Sequence, residues 1–326
     1  MQDFLERHWY RLSPLSVALA PIALLMRGVV AARRFAYRRG LLPAERLPVP
    51  VVVVGNRIVG GAGKTPLVLR LARELAGRGF RPGIVSRGYG ASVRAPREVP
   101  VQADAARYGD EPVLLAERSG VPVWVGIDRV AAARGLLRHH PECDVVLCDD
   151  GLQHYRLARD FEICVEDARG DGNGLLLPAG PLREPASREV DATVLNDAPP
   201  RPGTYAMRLA PAGLYALDDP ARSVAPQALA GLRLHAAAAI GNPQRFFATL
   251  RSMGLEFVAH AFPDHHAYAA RDLAFPDCDC IVVTEKDAVK LRRFRRDDIV
   301  VLRVEAQVDP QLAERIVEKL RGREAP

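Results

Sequence analysis

The chain of 326 residues is long enough for two domains with cores of their own, and its 48% apolar and 26% charged residues exclude wholesale disorder. Its net charge of +6 is unevenly spread: in residues 1–40, Arg7, Arg11, Arg27, Arg33, Arg34, Arg38 and Arg39 face only Asp3 and Glu6, leaving the rest of the chain close to neutral. A basic segment on a near-neutral body points to an anionic surface met locally and to no nucleic-acid partner.

Residues 12–26 carry no charge and include Pro14 and Pro21. A spanning helix needs about 20 apolar residues, a length reached here only by running past Arg27. Trp9, Tyr10 and Tyr37 bracket the segment as aromatic residues do at headgroup depth, and Arg33, Arg34, Arg38 and Arg39 follow it. The favoured reading is a helix lying on a membrane; a true span and a helix packed on the body are the alternatives. In all three the bulk of the protein is cytoplasmic. A cleaved signal peptide fits poorly, because the basic cluster follows the apolar run and no small-residue cleavage site precedes a mature domain.

Val51 to Val54 is a β-branched apolar run, the pattern of a strand buried on both faces of a parallel sheet. Gly60, Gly61, Ala62, Gly63, Lys64, Thr65 and Pro66 follow, then apolar positions at helical spacing. Strand, glycine loop, Lys-Thr and helix are the context in which a phosphate-loop motif has a mechanism. Residues without a Cβ let backbone N–H groups curl around phosphate oxygens, Lys64 reaches the β- and γ-phosphates, and the Thr65 hydroxyl can ligate Mg²⁺. The standard spacing has a glycine where this chain has Ile58, so Gly60 and Gly61 must supply the turn. This is a nucleoside triphosphate site.

A strand over Pro82 to Ser86 leads into Arg87-Gly88-Tyr89-Gly90, where Arg87 is either a partner for an anionic group or simply exposed. Asp110, ahead of a helical run, reads on composition alone as a helix cap. Asp144 to Asp150 is another buried strand ending in two carboxylates, and Asp149 and Asp150 have the form of the acids that hold Mg²⁺ in phosphate-loop enzymes. Strands follow at Phe161 to Glu166 and Val190 to Asn196, separated by a glycine- and proline-rich loop over residues 172–184 that is too long for a mere connector. The expected fold is α/β: a phosphate-loop, doubly wound, mostly parallel sheet over residues 41–200, after a membrane-associating helix in residues 1–40.

Residues 199–203 are the candidate hinge to a smaller α/β domain, residues 201–326. Its expected elements are strands at Leu234 to Ile240, Cys280 to Val283 and Ile299 to Val304, with helices at 244–253, after Thr284, and from Pro310. Asp264-His265 lies in a loop between them and on its own reads as solvated. The five cysteines form no C-x-x-C pair; Cys143, Cys148 and Cys164 read as small core residues of a reduced compartment, and a metal at Cys278 and Cys280 is the minor reading.

The ordered set VPVVVVGN, VGGAGKTP, RPGIVSRGYG, GDEP, CDDGLQHYRL, GNGLLLPAGPLRE, AAIGNPQRFF, Asp264-His265 and VTEKDAVK resembles the tetraacyldisaccharide 4′-kinases of lipid A biosynthesis from about residue 45 to 290. That family's phosphate loop also lacks the first glycine. The resemblance implies transfer of the γ-phosphate of ATP, with Mg²⁺, to the 4′-hydroxyl of a tetraacyldisaccharide 1-phosphate lipid at the cytoplasmic face of the inner membrane. It implies Lys64 and Thr65 on phosphates and metal, Asp149 and Asp150 on the metal side, Asp110 as base assisted by His265, and Arg183 and Glu184 on the nucleotide side. Closure at the hinge is expected to assemble the Asp110–His265 couple. A membrane-tethered ATPase switch is the runner-up; such switches often carry a lysine where this chain has Val59.

Overall fold

The computed structural model describes residues 8–93 and 95–322; Asp3, Glu6 and Arg7 of the basic N-terminal segment lie outside the described residues. Helix α1, Pro14–Arg38, is one continuous helix of 25 residues. The Ser13 hydroxyl caps it by accepting from the Ser16 amide at 3.2 Å, and Pro14 sits in the first turn, where a missing N–H costs nothing. Pro21 is carried inside the helix rather than interrupting it. A narrow stripe is buried, at Ser16 and Ala23, while Val17, Ile22, Leu24, Leu25, Val29 and Phe35 are exposed.

The seat for that stripe is the loop over residues 172–184. The Trp9 indole donates to the Pro178 carbonyl at 3.1 Å, and the Asn173 amide donates to the Ser16 hydroxyl at 3.3 Å. Ala23 joins Ile58, Leu176, Ala179 and Leu182 in a separate apolar cluster. Further along, Tyr37 packs on Tyr155 with ring centroids 5.8 Å apart, and the Arg33 guanidinium lies 5.5 Å from the same Tyr155 ring. The helix is therefore held against the body near both ends and at its middle.

The phosphate-loop half is built on β1 (Val51–Gly55), α2 (Lys64–Gly77), β2 (Pro82–Ser86), β3 (Arg97–Glu98), α3 (Ala105–Tyr108), α4 (Asp110–Ser119), β4 (Val123–Val125), α5 (Arg129–His139), β5 (Val145–Asp149), β6 (Phe161–Asp167), β7 (Ala192–Asn196) and β8 (Thr204–Ala216). After it come β9 (Ser223–Val224), β10 (Leu234–Ala238), α6 (Pro243–Ser252), β11 (Val258–Ala261), β12 (Cys280–Thr284), α7 (Glu285–Leu291), β13 (Ile299–Val308) and α8 (Pro310–Arg321). One sheet of 13 strands runs through both halves in the order β11-β10-β12-β13-β8-β7-β6-β1-β5-β2-β4-β3, with β9 on β8. Its long pairings are parallel except β13 with β8.

Val51 to Val54 are fully buried because helices cover both faces of β1, which is why the sequence there is a continuous apolar run rather than an alternating one. On one face Leu67, Leu71 and Leu75 of α2 pack with Val113 and Leu115 of α4; on the other, Val130 and Leu136 of α5 meet Val51 and Val53. Each such leucine, taken fully out of water, contributes roughly 1.5–3 kcal/mol.

Seven elements lie outside the strands and helices expected from the sequence: β3, α3, β4, α5, β8, β9 and β11. The break at residues 199–203 is followed at once by β8, which pairs with β7 on one side and with β13 on the other. The closing helix α8 returns to the first half, where Leu312, Ile316 and Leu320 join the core under α2.

Candidate active site

In open α/β sheets ligands sit outside the carboxyl ends of the strands. At that edge β1 ends in Gly55 and Asn56, β5 in Asp149, β6 in Asp167 and β7 in Asn196. Gly60 and Gly63 have φ of 92° and 95°, a conformation that L side chains rarely adopt, and Gly63 is the N-cap of α2. A Cβ on Gly63 would lie 2.4 Å from the Asn196 side-chain nitrogen. Ile58 needs no glycine: it is bridged antiparallel to Leu182, the Val59 amide donates to the Pro181 carbonyl at 2.9 Å, and its side chain belongs to the cluster seating α1.

Lys64 Nζ donates to Asn56 Oδ1 at 3.1 Å and lies 3.5 Å from Asp150 Oδ1. Arg183 holds both Asp150 oxygens, at 2.9 and 3.1 Å, and also reaches Asn56. Burial pushes the Asp150 carboxyl up, but Lys64 and Arg183 outweigh it and hold it well below the usual carboxylate range. Asp149 is the opposite case. Fully buried, with Glu111 and Asp150 as like charges and Lys64 only partly offsetting them, it is pushed up to about 7. Its Oδ1 has no hydrogen-bond partner, and its Oδ2 accepts only a long bond from the Ser86 hydroxyl at 3.4 Å.

A buried carboxylate with an orphaned oxygen, followed directly by a second acid, fits a hard divalent cation. Among the described residues no three His, Cys, Asp or Glu side chains cluster as a metal site. Mg²⁺ takes one or two carboxylates and completes its shell with water and substrate phosphate.

Asp110 opens α4 immediately after Gly109 and is buried. The His265 Nδ1 lies 3.0 and 3.1 Å from its two oxygens, so the pair meets with no closing movement of the two halves. Lys286, from the first turn of α7, reaches Glu111 Oε1 at 3.1 Å, Asp264 Oδ1 at 3.2 Å and His265 Nε2 at 3.3 Å. Burial opposes the charge on Asp110, yet the His265 hydrogen bond and the Lys286 charge bring its carboxyl below the ordinary value. Burial likewise works against charging His265, but the bond to Asp110 raises it, despite Lys286. Lys286 itself is held charged because Glu111, Asp110 and Asp264 overcome its burial. His265 adopts φ of 61°, and the Tyr89 ring leans on it at 4.9 Å.

A cavity of about 180 Å³ joins the two constellations, lined by Gly61, Gly63, Lys64, Thr65 and Pro66 on one wall and by Glu111, Gly241, Arg245, Phe246 and Lys286 on others. Gly241 comes so close to the glycine loop that a Cβ there would lie 2.8 Å from the Gly61 amide nitrogen. Of the residues expected here, Arg183 joins the Lys64–Asp150 network. Glu184 is buried against Tyr155 and Arg188. Arg87 is exposed on its loop.

Sequence reasoning passed over Asn56, Glu111, Arg169, Asn196, Arg245 and Lys286 as site residues. Lys286 and Glu111 stand inside the VTEKDAVK and GDEP stretches, each one residue into a helix start. Asn196 had a signal that went unused, a polar residue ending a buried strand in the same way as Asp149.

A glycine loop on a strand-to-helix turn, a lysine beside paired acids and a cavity at the carboxyl edge of a doubly wound sheet together define a phosphate-loop, nucleotide-dependent enzyme. The family model described as Tetraacyldisaccharide-1-P 4′-kinase matches residues 15–321, and the chain belongs to that family. It is 50% identical over 332 residues to the tetraacyldisaccharide 4′-kinase of Dechloromonas aromatica (strain RCB), covering 98% of each chain. To that of Janthinobacterium sp. (strain Marseille) it is 50% identical over 337 residues, 99% of this chain and 97% of the other. The crystal structure of LpxK from Aquifex aeolicus in complex with ATP matches with a TM-score of 0.80 at 29% identity, over 94% of this chain and 99% of that one.

Proposed function

We propose that this chain transfers the γ-phosphate of ATP to the 4′-hydroxyl of a tetraacyldisaccharide 1-phosphate lipid. The observation that carries the reading is the Asp110–His265 pair, 3.0 Å apart, whose neighbours Glu111 and Lys286 share a cavity with Lys64 and Thr65. The backbone of residues 60–63 and Lys64 hold the phosphates. Asp110, kept ionised by His265 and Lys286, accepts the proton of the sugar hydroxyl as its oxygen bonds to the γ-phosphorus. The bond to the bridging oxygen breaks, and ADP leaves with that electron pair. His265 orients the carboxylate through its Nδ1, 3.0 Å from the nearer Asp110 oxygen.

Thr65, Asp149 and Asp150 are the residues that would hold Mg²⁺, which when bound neutralises charge on the transferring phosphoryl group. Arg183 keeps Asp150 ionised and fixed beside Lys64. The apolar part of the cavity, at Leu69, Leu114, Phe246 and Leu302, suits the nucleoside of ATP.

The helix α1 is the membrane-facing element and lies flat on the cytoplasmic face of the inner membrane. What supports this is its attachment to the body near Trp9, at Ala23 and at Tyr37, which leaves one long side apolar and open. The domain division at residues 199–203 remains part of this reading, with Lys286 and His265 as the contribution of the second half.

The deciding experiment is incubation with ATP, Mg²⁺ and a tetraacyldisaccharide 1-phosphate lipid in detergent micelles, read by mass spectrometry. A lipid product heavier by one phosphate is expected. Consumption of ATP with the lipid unchanged would overturn the reading in favour of an ATPase switch.

A further inference from the structure

Three consecutive carbonyls of the glycine loop each accept a hydrogen bond from a side chain carried on a different strand end. Asn56 Nδ2 donates to the Gly60 carbonyl at 3.0 Å, Arg169 Nη2 to the Gly61 carbonyl at 2.7 Å, and Asn196 Nδ2 to the Ala62 carbonyl at 2.9 Å. We propose that Asn56, Arg169 and Asn196 act as a carbonyl clamp, positioning residues that aim the amides of Gly61, Ala62 and Gly63 at a bound polyphosphate. The inference rests on the reading that this loop holds the phosphates of ATP.

The argument follows from the rigidity of the peptide unit. A carbonyl and the N–H of the next residue lie in one plane and point in opposite directions. Holding the carbonyls of residues 60, 61 and 62 outward therefore holds the N–H groups of residues 61, 62 and 63 on the other side. A glycine-rich loop left to itself samples many conformations, because its residues lose the most freedom on ordering. Fixing the loop before the ligand arrives removes that cost from binding.

The donors are themselves fixed. Asn56 Oδ1 accepts from Lys64 at 3.1 Å and also from Arg183, so its NH₂ end is the one left for Gly60. Asn196 is built the same way: its Oδ1 accepts from Arg245 at 3.1 Å, and its NH₂ end faces Ala62. Arg169 is locked by both oxygens of Asp167, at 2.8 and 3.0 Å. Both asparagines are fully buried, so an unpaired amide there would be costly. The arrangement also accounts for two glycines: a Cβ on Gly63 would collide with Asn196, and one on Gly60 would lie 3.2 Å from Arg169.

The test is calorimetric titration of the full chain in detergent with ATP, ADP and AMP, using wild type, Asn196→Ala and Arg169→Met. Each variant should bind ATP and ADP about 10-fold more weakly, as expected for one lost buried hydrogen bond, with AMP held within about twofold. KM for ATP should rise correspondingly, with kcat at saturating ATP and KM for the lipid nearly unchanged. Arg169→Lys, which keeps a cationic donor, should recover part of the loss. If both variants bind ADP as wild type does, or if AMP weakens in step with ADP, the clamp is refuted. Wild type that binds no ATP at all overturns the function beneath it and the clamp together. Should one variant fail to fold, seen as lost thermal cooperativity, the other decides the question alone, since the two side chains come from different strands.

Discussion

Leu24 and Leu25 stand 65% and 69% exposed on α1, next to Ala23, which is buried in the seat of the helix. Replacing both with glutamine keeps a good helix former and leaves the seat intact, so the change is confined to the open side. Fully burying a leucine contributes roughly 1.5–3 kcal/mol, and two-thirds of that at each position gives about 3 kcal/mol for the pair, or ~100-fold in partitioning. Sedimentation with vesicles containing anionic lipid measures it directly, with the protein held in dilute detergent-free buffer. The double variant should remain largely in the supernatant at lipid concentrations that clear the wild type, and salt should weaken the wild type further by screening Arg27, Arg34 and Arg38. The reasoning fails if the double variant partitions like the wild type, because the exposed side would then not enter the membrane.

Asp110→Asn keeps the shape of the side chain and removes the proton acceptor; turnover should fall by about 10²–10⁴ while calorimetric ATP affinity stays near that of wild type, and unchanged turnover would remove Asp110 from its role. The stability linkage has a definite sign. His265 is raised above its ordinary 6.5, so its stabilisation is complete below that pH and is lost as pH rises through the raised value. The difference in Tm between wild type and His265→Ala should therefore narrow toward alkaline pH, and a widening difference would contradict the pairing. Asp110, lowered from 3.8, adds stabilisation that is lost as pH falls through its depressed value. Gly63→Ala meets both a φ of 95° and the Asn196 side chain at 2.4 Å; a cost of roughly 1–3 kcal/mol is expected in thermal unfolding, together with loss of ATP binding.

Much of the phosphate-loop half could be read locally. A run such as Val51 to Val54, bounded by glycine, is a strand whatever surrounds it, and Gly63-Lys64-Thr65 opening an apolar-periodic stretch is a helix start. Strand β8 could not be read, because its side chains are partly exposed on both sides and Pro211 and Gly213 interrupt its pattern; its 13 residues are held by pairing with β13 and β7. The expected hinge at residues 199–203 lies between β7 and β8, and the sheet resumes at Thr204.

The site divides along the same line. Lys64, Thr65, Asp149 and Asp150 were legible because each lies next to the strand or loop that gives it meaning. Arg183 and Glu184 are neighbours in sequence yet face different partners, Asp150 and Tyr155, a divergence no local pattern encodes. Asp110 and His265 are 155 positions apart and meet only because the fold brings the start of α4 against the loop after β11. Local chemistry thus determined what kinds of group the chain carries and where its strands and helices start. Which groups touch was decided by long-range pairing and packing, since a hydrogen bond needs its partners within about 3 Å and sequence distance says nothing about that separation.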